Sequence, residues 1–161
     1  MSMRVGIGYD VHAFAPGRKL VLGGVEIDHP MGLSGHSDAD VLVHAIMDAL
    51  LGAAGLGDIG CHFPDRDERF RNIRSLNLLE EVYGMLASRQ FSIINIDAVI
   101  ICESPKISPF AGDMKRNISG ALAGLDVSRI GIKGTTTEKL GFTGRSEGIA
   151  AQAVALLSLN I

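Results

Sequence analysis

Only two cysteines, Cys61 and Cys102, occur in the 161 residues, and they form no Cys-x-x-Cys pair. That excludes a disulfide-stapled scaffold, which is normally smaller and richer in cysteine, and reads as two free thiols in a reducing compartment. No apolar run is long enough to span a bilayer, and no charged-then-apolar leader opens the sequence. A cytoplasmic location without a membrane partner is the expectation. Charge of one sign is also lacking: the formal net charge is −3. Neither nucleic acid nor anionic lipid would be attracted in general. A phosphorylated ligand would need local cations, from a metal, Lys and Arg, or helix N-termini. The familiar nucleotide signatures are missing too. Gly6-x-Gly8 is followed by Val11 rather than a third glycine, and His12-Ala13-Phe14-Ala15-Pro16 does not open a helix, so a dinucleotide fold is declined. There is no GxxxxGK[ST] loop, no evident Ser-His-Asp device, no internal repeat and no low-complexity tract.

What is present is apolar and mostly aliphatic. Hydrophobic residues make up 47% and aromatic ones 5%, with no Trp. Mean hydropathy is +0.26. A single domain over 1–161 can therefore bury a core and still have apolar surface left for a subunit interface.

Hydrophobic spacing predicts a first strand over 4–9 and a hairpin of 19–22 with 25–27 around Gly23-Gly24. A polar loop follows to residue 37. A buried helix then runs to about 54, with Ser37 and Asp38 at its N-cap and first turn. Residues 55–71 read as a long loop of the kind that is usually functional. A helix is expected over 72–90, a strand over 91–102, and a helix from Ser108-Pro109 with Pro at its first position. A strand over 129–133, a polar loop over 135–145 and a closing apolar helix over 146–159 complete the order. The expected fold class is α+β: a mixed β-sheet with helices packed on one face, single domain. The closing helix shows little polar face, so an oligomer would give it a second surface to bury.

The chemistry concentrates in three residues. Asp10 and His12 are spaced i, i+2, which on an extended segment points both side chains to one face. His44 lies in Val41-Leu42-Val43-His44-Ala45-Ile46-Met47, where an imidazole needs a partner. One carboxylate and two imidazoles form a three-ligand metal set that leaves a position open for water or substrate. Taken singly, Asp10 reads equally as a turn residue, His12 as a surface histidine and His44 as a hydrogen-bonded core histidine. His36-Ser37-Asp38 precedes a helix, whose cap it would form and whose free N–H groups could hold phosphate. Thr135-Thr136-Thr137-Glu138-Lys139 is either a solvated turn or a set of hydroxyls and a carboxylate for phosphate and a hard cation. The same donor set also serves non-haem Fe(II) oxygenases, and a structural metal in a nucleotide-sensing trimer is a further reading.

Five blocks in order then carry a resemblance: Gly8-Tyr9-Asp10-Val11-His12; His36-Ser37-Asp38-Ala39-Asp40 with His44; Gly57-Asp58-Ile59-Gly60 with His62-Phe63-Pro64-Asp65; Pro105-Lys106; and the stretch from Thr135 through Gly141-Phe142-Thr143-Gly144-Arg145. Over nearly its whole length the chain resembles the 2-C-methyl-D-erythritol 2,4-cyclodiphosphate synthases. The resemblance implies a homotrimer with active sites at subunit interfaces, acting on a cytidyl diphosphate substrate. It implies Zn²⁺ on Asp10, His12 and His44, and a second divalent cation, Mg²⁺ or Mn²⁺, on Glu138. His36, Thr136 and Glu138 would be catalytic, with Ser37 and His36 facing phosphates. Asp58, Phe63 and Asp65 would bind the methylerythritol part. Lys106, with Thr136, would lie on the nucleotide side, supplied by the neighbouring chain. Phe142 and Arg145 would complete the substrate-binding set, with Arg145 and Glu147 near the threefold axis. Glu103 departs from the family pattern, standing where a neutral residue is common.

Overall fold

A computed structural model describes residues 2–159; Met1 and residues 160–161, the ends of the expected 1–161 domain, lie outside the described residues. In chain order the elements are β1 (Ser2–Ala15), β2 (Leu20–Leu22), β3 (Val25–Ile27), β4 (Gly32–Leu33), α1 (Val41–Ala54), α2 (Ile59–His62), α3 (Ser75–Ala87), β5 (Phe91–Ile101), α4 (Ala111–Ala121), β6 (Ile130–Thr135), α5 (Gly141–Gly144) and β7 (Gly148–Leu159). The five-stranded sheet has the order β4-β1-β7-β5-β6, and β2 pairs with β3 as a separate hairpin. Among the described residues only β5 and β6 run parallel, so the sheet is mixed. Helices α1, α3 and α4 cover one face. The α+β expectation holds.

The largest correction is at the C-terminus. Residues 148–159 form the central strand β7, not a helix, paired with β1 from Ser2↔Leu159 to Ala13↔Gly148 and with β5 on its other edge. Its odd positions Ile149, Ala151, Ala153, Ala155 and Leu157 lie buried beneath the helices. Its even positions Ala150, Val154 and Leu156 are apolar as well, so the period of two is masked, and alanine is itself a strong helix former. The apolar surface assigned to a closing helix is instead the uncovered sheet face, where Met3, Val5, Ile7, Tyr9, Val11 and Val154 are exposed.

Strand β1 is longer than the expected 4–9, and its even positions set the architecture. A Cβ on Gly6 would stand 2.0 Å from the Ala49 carbonyl oxygen, and one on Gly8 1.9 Å from that of Ala45. Gly6-x-Gly8 is therefore a packing device that lets α1 lie directly on the strand, running antiparallel to it. The same face continues to Asp10 and His12, beyond the glycines, where the first turn of α1 ends.

Helix α1 starts later than expected. Its N-cap is Asp40, not Ser37 or Asp38: Oδ1 accepts from the Val43 N–H at 3.1 Å. The same carboxylate accepts from Gly23 N at 2.9 Å and Gly24 N at 2.7 Å, which ties the hairpin to the helix. Asp40, Val41, Leu42 and Val43 are fully buried, so this helix N-terminus does not open onto solvent as a phosphate site. Ser37 and Asp38 build the preceding turn, accepting from Ala39 N and Asp40 N. The expected 55–71 loop contains α2 and a 3₁₀ turn at Glu68–Phe70. Helix α3 is shorter than 72–90 at both ends. Helix α4 begins at Ala111, with Phe110 at the cap, so Pro109 lies outside it rather than at its first position.

Candidate metal centre and cleft

Strand and helix bring three ligand atoms to one point. His12 Nε2 lies 2.9 Å from Asp10 Oδ2, His44 Nδ1 lies 3.1 Å from the same oxygen, and the two imidazole nitrogens are 3.1 Å apart. Among the described residues this is the one group of side chains arranged to hold a metal ion. Separations near 3 Å are those of neighbouring donors around an ion with bonds of about 2.0–2.2 Å.

The remaining ring nitrogens decide what these atoms present. His12 Nδ1 is 2.6 Å from the Ser34 carbonyl oxygen, which can only accept. In the neutral ring the proton is therefore on Nδ1 and Nε2 offers a lone pair to the site; in the charged ring Nε2 donates to Asp10 instead. That lone pair, His44 Nδ1 and a carboxylate converge, an arrangement that a cation or a proton can hold together. The residues fit a metal.

Titration follows the same geometry. Burial opposes ionisation of Asp10, but hydrogen bonds and charge from His12 and His44 outweigh it and hold its carboxyl well below the usual range. Burial likewise opposes charge on His12, and its contact with Asp10 overcomes this and raises its pKa above 6.5.

The triad forms the floor of a cleft of about 500 Å³. His36, Ser37, Phe63 and Asp65, all expected at the site, line the same cleft, together with Gly35, Ile59, Gly60, Pro64 and Arg66. Phe63 is buried, with its ring 5.4 Å from that of Phe70. His36 is oriented by its Nε2, 3.2 Å from the Asp67 carbonyl. Asp58 is exposed beside the cleft and caps α2, accepting from Cys61 N at 2.9 Å. Asp48, one helical turn beyond His44, anchors that segment by accepting from Ile59 N at 2.9 Å.

Comparison with known proteins identifies the lineage. The YgbB family profile matches residues 3–158. The 2-C-methyl-D-erythritol 2,4-cyclodiphosphate synthase of Alkaliphilus metalliredigens is 60% identical over 159 residues, covering 99% of both chains. That of Lachnospira eligens is 58% identical over 97% of this chain and 85% of the relative. Among solved structures, Plasmodium falciparum IspF in complex with CDP superposes with a TM-score of 0.87 at 35% identity, over 99% of this chain and 98% of that one. The bifunctional IspDF of Campylobacter jejuni gives a TM-score of 0.94 at 47% identity over 99% of this chain, which spans only 43% of that longer protein.

The chain belongs to the YgbB family.

The other residues expected at the site lie elsewhere on the molecule. Lys106 and Thr136 line a second cleft of about 260 Å³, with Glu103, Pro105 and Ile107. Its Cys102 thiol is pushed up to about 11, chiefly by burial and also by the Glu103 charge, so it stays protonated. Asp10, Ala151, Ile100 and Gly134 form one row across the sheet. Three strand steps thus separate the two clefts within one chain, roughly 14 Å at 4.7–4.9 Å per step. Glu138 is exposed on the loop after β6, with φ +53. Phe142 sits half-buried on α5. Arg145 pairs with Glu147 at 2.9 Å on the surface. None of these three lines either cleft. Sequence reasoning missed Ser34, Asp48 and Ser75; no spacing rule links residues that meet only through the fold.

Proposed function

We propose that this chain converts 4-diphosphocytidyl-2-C-methyl-D-erythritol 2-phosphate to 2-C-methyl-D-erythritol 2,4-cyclodiphosphate and CMP. It is then a metal-dependent, cyclising phosphorus–oxygen lyase of isoprenoid precursor biosynthesis, at work in the cytoplasm. The observation that carries the reading is the convergence of Asp10, His12 and His44 at the floor of the cleft, in a chain that matches synthases almost end to end.

The substrate's 2-phosphate oxygen attacks the β-phosphorus, and the bond from that phosphorus to the CMP oxygen breaks, the electron pair leaving with CMP. The attacking phosphate is already anionic, so no strong general base is required, and positioning and charge stabilisation dominate. Zinc on Asp10, His12 and His44, with Mg²⁺ or Mn²⁺ on Glu138, would supply Lewis-acid polarisation and charge neutralisation to the diphosphate. The side chains do the rest. Ser37 Oγ accepts from Ala39 N, so its own proton is left for a phosphate oxygen. His36 faces the same phosphates from the cleft wall. Asp58, Phe63 and Asp65 orient the methylerythritol part. Lys106 and Thr136 hold the cytidyl phosphate side, and Phe142 and Arg145 complete the substrate-binding set.

The separation of the two clefts supports sites assembled from two protomers of a homotrimer, each giving its metal centre to its neighbour's nucleotide cleft. The exposed apolar sheet face supports the same assembly, since Val5 is 70% and Ile7 63% exposed in the single chain.

Incubation with the cytidyl substrate, followed by phosphorus NMR, tests the reading. Cyclic diphosphate and CMP should appear in equal amounts, with no ¹⁸O taken from labelled water. Incorporated ¹⁸O would mean hydrolysis and reject the assignment. Glu138→Gln keeps shape but loses charge; kcat should fall strongly while zinc content stays unchanged.

A further inference from the structure

The side of His44 facing away from the cleft carries a chain of side chains that the reaction scheme does not use. His44 Nε2 lies 2.9 Å from Ser75 Oγ. Ser75 is fully buried at the first position of α3. Its hydroxyl makes a short hydrogen bond to Asp38 Oδ1, and its backbone N–H donates to Asp38 Oδ2 at 3.0 Å. The direction of this chain is set by donor inventory. An ionised carboxylate only accepts, so the Ser75 proton points at Asp38. Ser75 Oγ is then left as an acceptor toward the ring, and in that contact His44 Nε2 is the donor. Neutral imidazole has one N–H, for which Ser75 at Nε2 and Asp10 Oδ2, 3.1 Å from Nδ1, compete; an Nε2–H held by Ser75 leaves Nδ1 with the lone pair that a metal beside Asp10 and His12 needs.

We infer that Ser75 and Asp38 are positioning residues that lock His44 in the tautomer able to bind a metal through Nδ1. The inference rests on the metal reading of the triad. His12 needs no such device, because a backbone carbonyl holds its Nδ1–H. For His44 the neighbours are hydroxyls, which donate as readily as they accept, and Ser37 Oγ stands at 3.2 Å from the same nitrogen. Without Asp38, the Ser75 proton could turn toward Nε2. The imidazole proton would then move to Nδ1 and occupy the metal position. The carboxylate thus acts through a serine rather than on the histidine directly. The 38–44 and 75 segments meet only in the folded chain.

The test uses the full-length chain with histidines labelled by ¹⁵N. In the zinc-free wild type, on the alkaline side of the imidazole titrations, long-range ¹H–¹⁵N spectra should show His44 as the Nε2–H tautomer. Ser75→Ala and Asp38→Ala should shift it wholly or partly to Nδ1–H. Chelator competition with zinc alone should show affinity lowered by about tenfold to a hundredfold in both variants, the range for outer partners of metal-bound histidine. A merely structural role would lower thermal stability without moving the tautomer. A wild-type His44 in the Nδ1–H form overturns the inference, even if neither variant folds. So does undiminished zinc affinity in a folded variant. Neither readout involves the cytidyl substrate, so failure here is distinguishable from failure to form cyclic product.

Discussion

Glu103 and Lys139 are joined across the end of the β5–β6 pair: Glu103 Oε1 accepts from the Lys139 backbone N–H at 3.1 Å, and from Thr137 N at 3.3 Å. Glu138 and Lys139 both adopt positive φ, +53 and +63, which is costly for residues with a Cβ. The Glu103 carboxylate is thus the staple that holds this loop in shape. Glu103→Ala should free the loop and lower the rate of CMP release by up to about a hundredfold. Glu103→Gln, which keeps an acceptor oxygen, should retain most of it. Steady-state kinetics of both variants decides the matter, and equal rates for Ala and wild type would refute it.

His44→Ala removes one of three ligands from a site held by distant elements. Zinc per chain, measured after purification without added metal, should drop to a small fraction of the wild-type value while circular dichroism stays native. Undiminished zinc in the folded variant would exclude the triad as the metal centre.

The pH dependence of metal-free and metal-bound protein should run in opposite directions. His12 has a raised pKa in the folded state, so its contribution is fully present below 6.5 and is lost as pH climbs through the raised value. Asp10 has a depressed one, so its contribution is present above 3.8 and is lost only as pH falls toward the folded value. Metal-free protein should therefore lose melting temperature on going alkaline past His12. Zinc affinity should rise over that same range, because ligation requires the imidazole proton to leave. Melting curves with chelator or with zinc, from pH 5.5 to 8.5, separate the two trends.

Two glycine-to-alanine changes should have opposite signs. At Gly8 the new Cβ would meet the Ala45 carbonyl at 1.9 Å, which forces α1 off β1. The cost should be about 1–3 kcal/mol or more, and zinc affinity should fall with it, because α1 carries His44. At Gly52 the nearest atom lies 3.8 Å away, in ordinary contact. There alanine should stabilise by about 0.5–1 kcal/mol through helix propensity and backbone entropy. Urea unfolding of the two variants gives both signs.

The uncovered sheet face should be an assembly surface. Light scattering at micromolar concentration should give three times the 17.0 kDa chain mass. Ile7→Asp, placed in the middle of that face, should shift the protein toward monomer and reduce turnover, with little loss of zinc. An active monomer would remove the argument for shared sites.

Sequence alone determined the chemistry that local spacing can express. Asp10 and His12 at i, i+2 declared a shared face, and His44 declared a buried imidazole in need of a partner. β-Branched composition marked β5, a helical period marked the body of α3, and the ordered blocks marked the lineage. Tertiary structure decided what depends on distant partners. Residues 148–159 became a central strand because β1 and β5 pair with both of its edges, whereas its own pattern, apolar on both faces and rich in alanine, carries no period to read. Asp40 rather than Ser37 caps α1 because Gly23 and Gly24 bring their N–H groups to the same carboxylate. The metal triangle closes only because Gly6 and Gly8 let the helix touch the strand, which brings His44 over Asp10. Periodicity reports which face a residue occupies; which residue it meets there is fixed by how closely two backbones can approach.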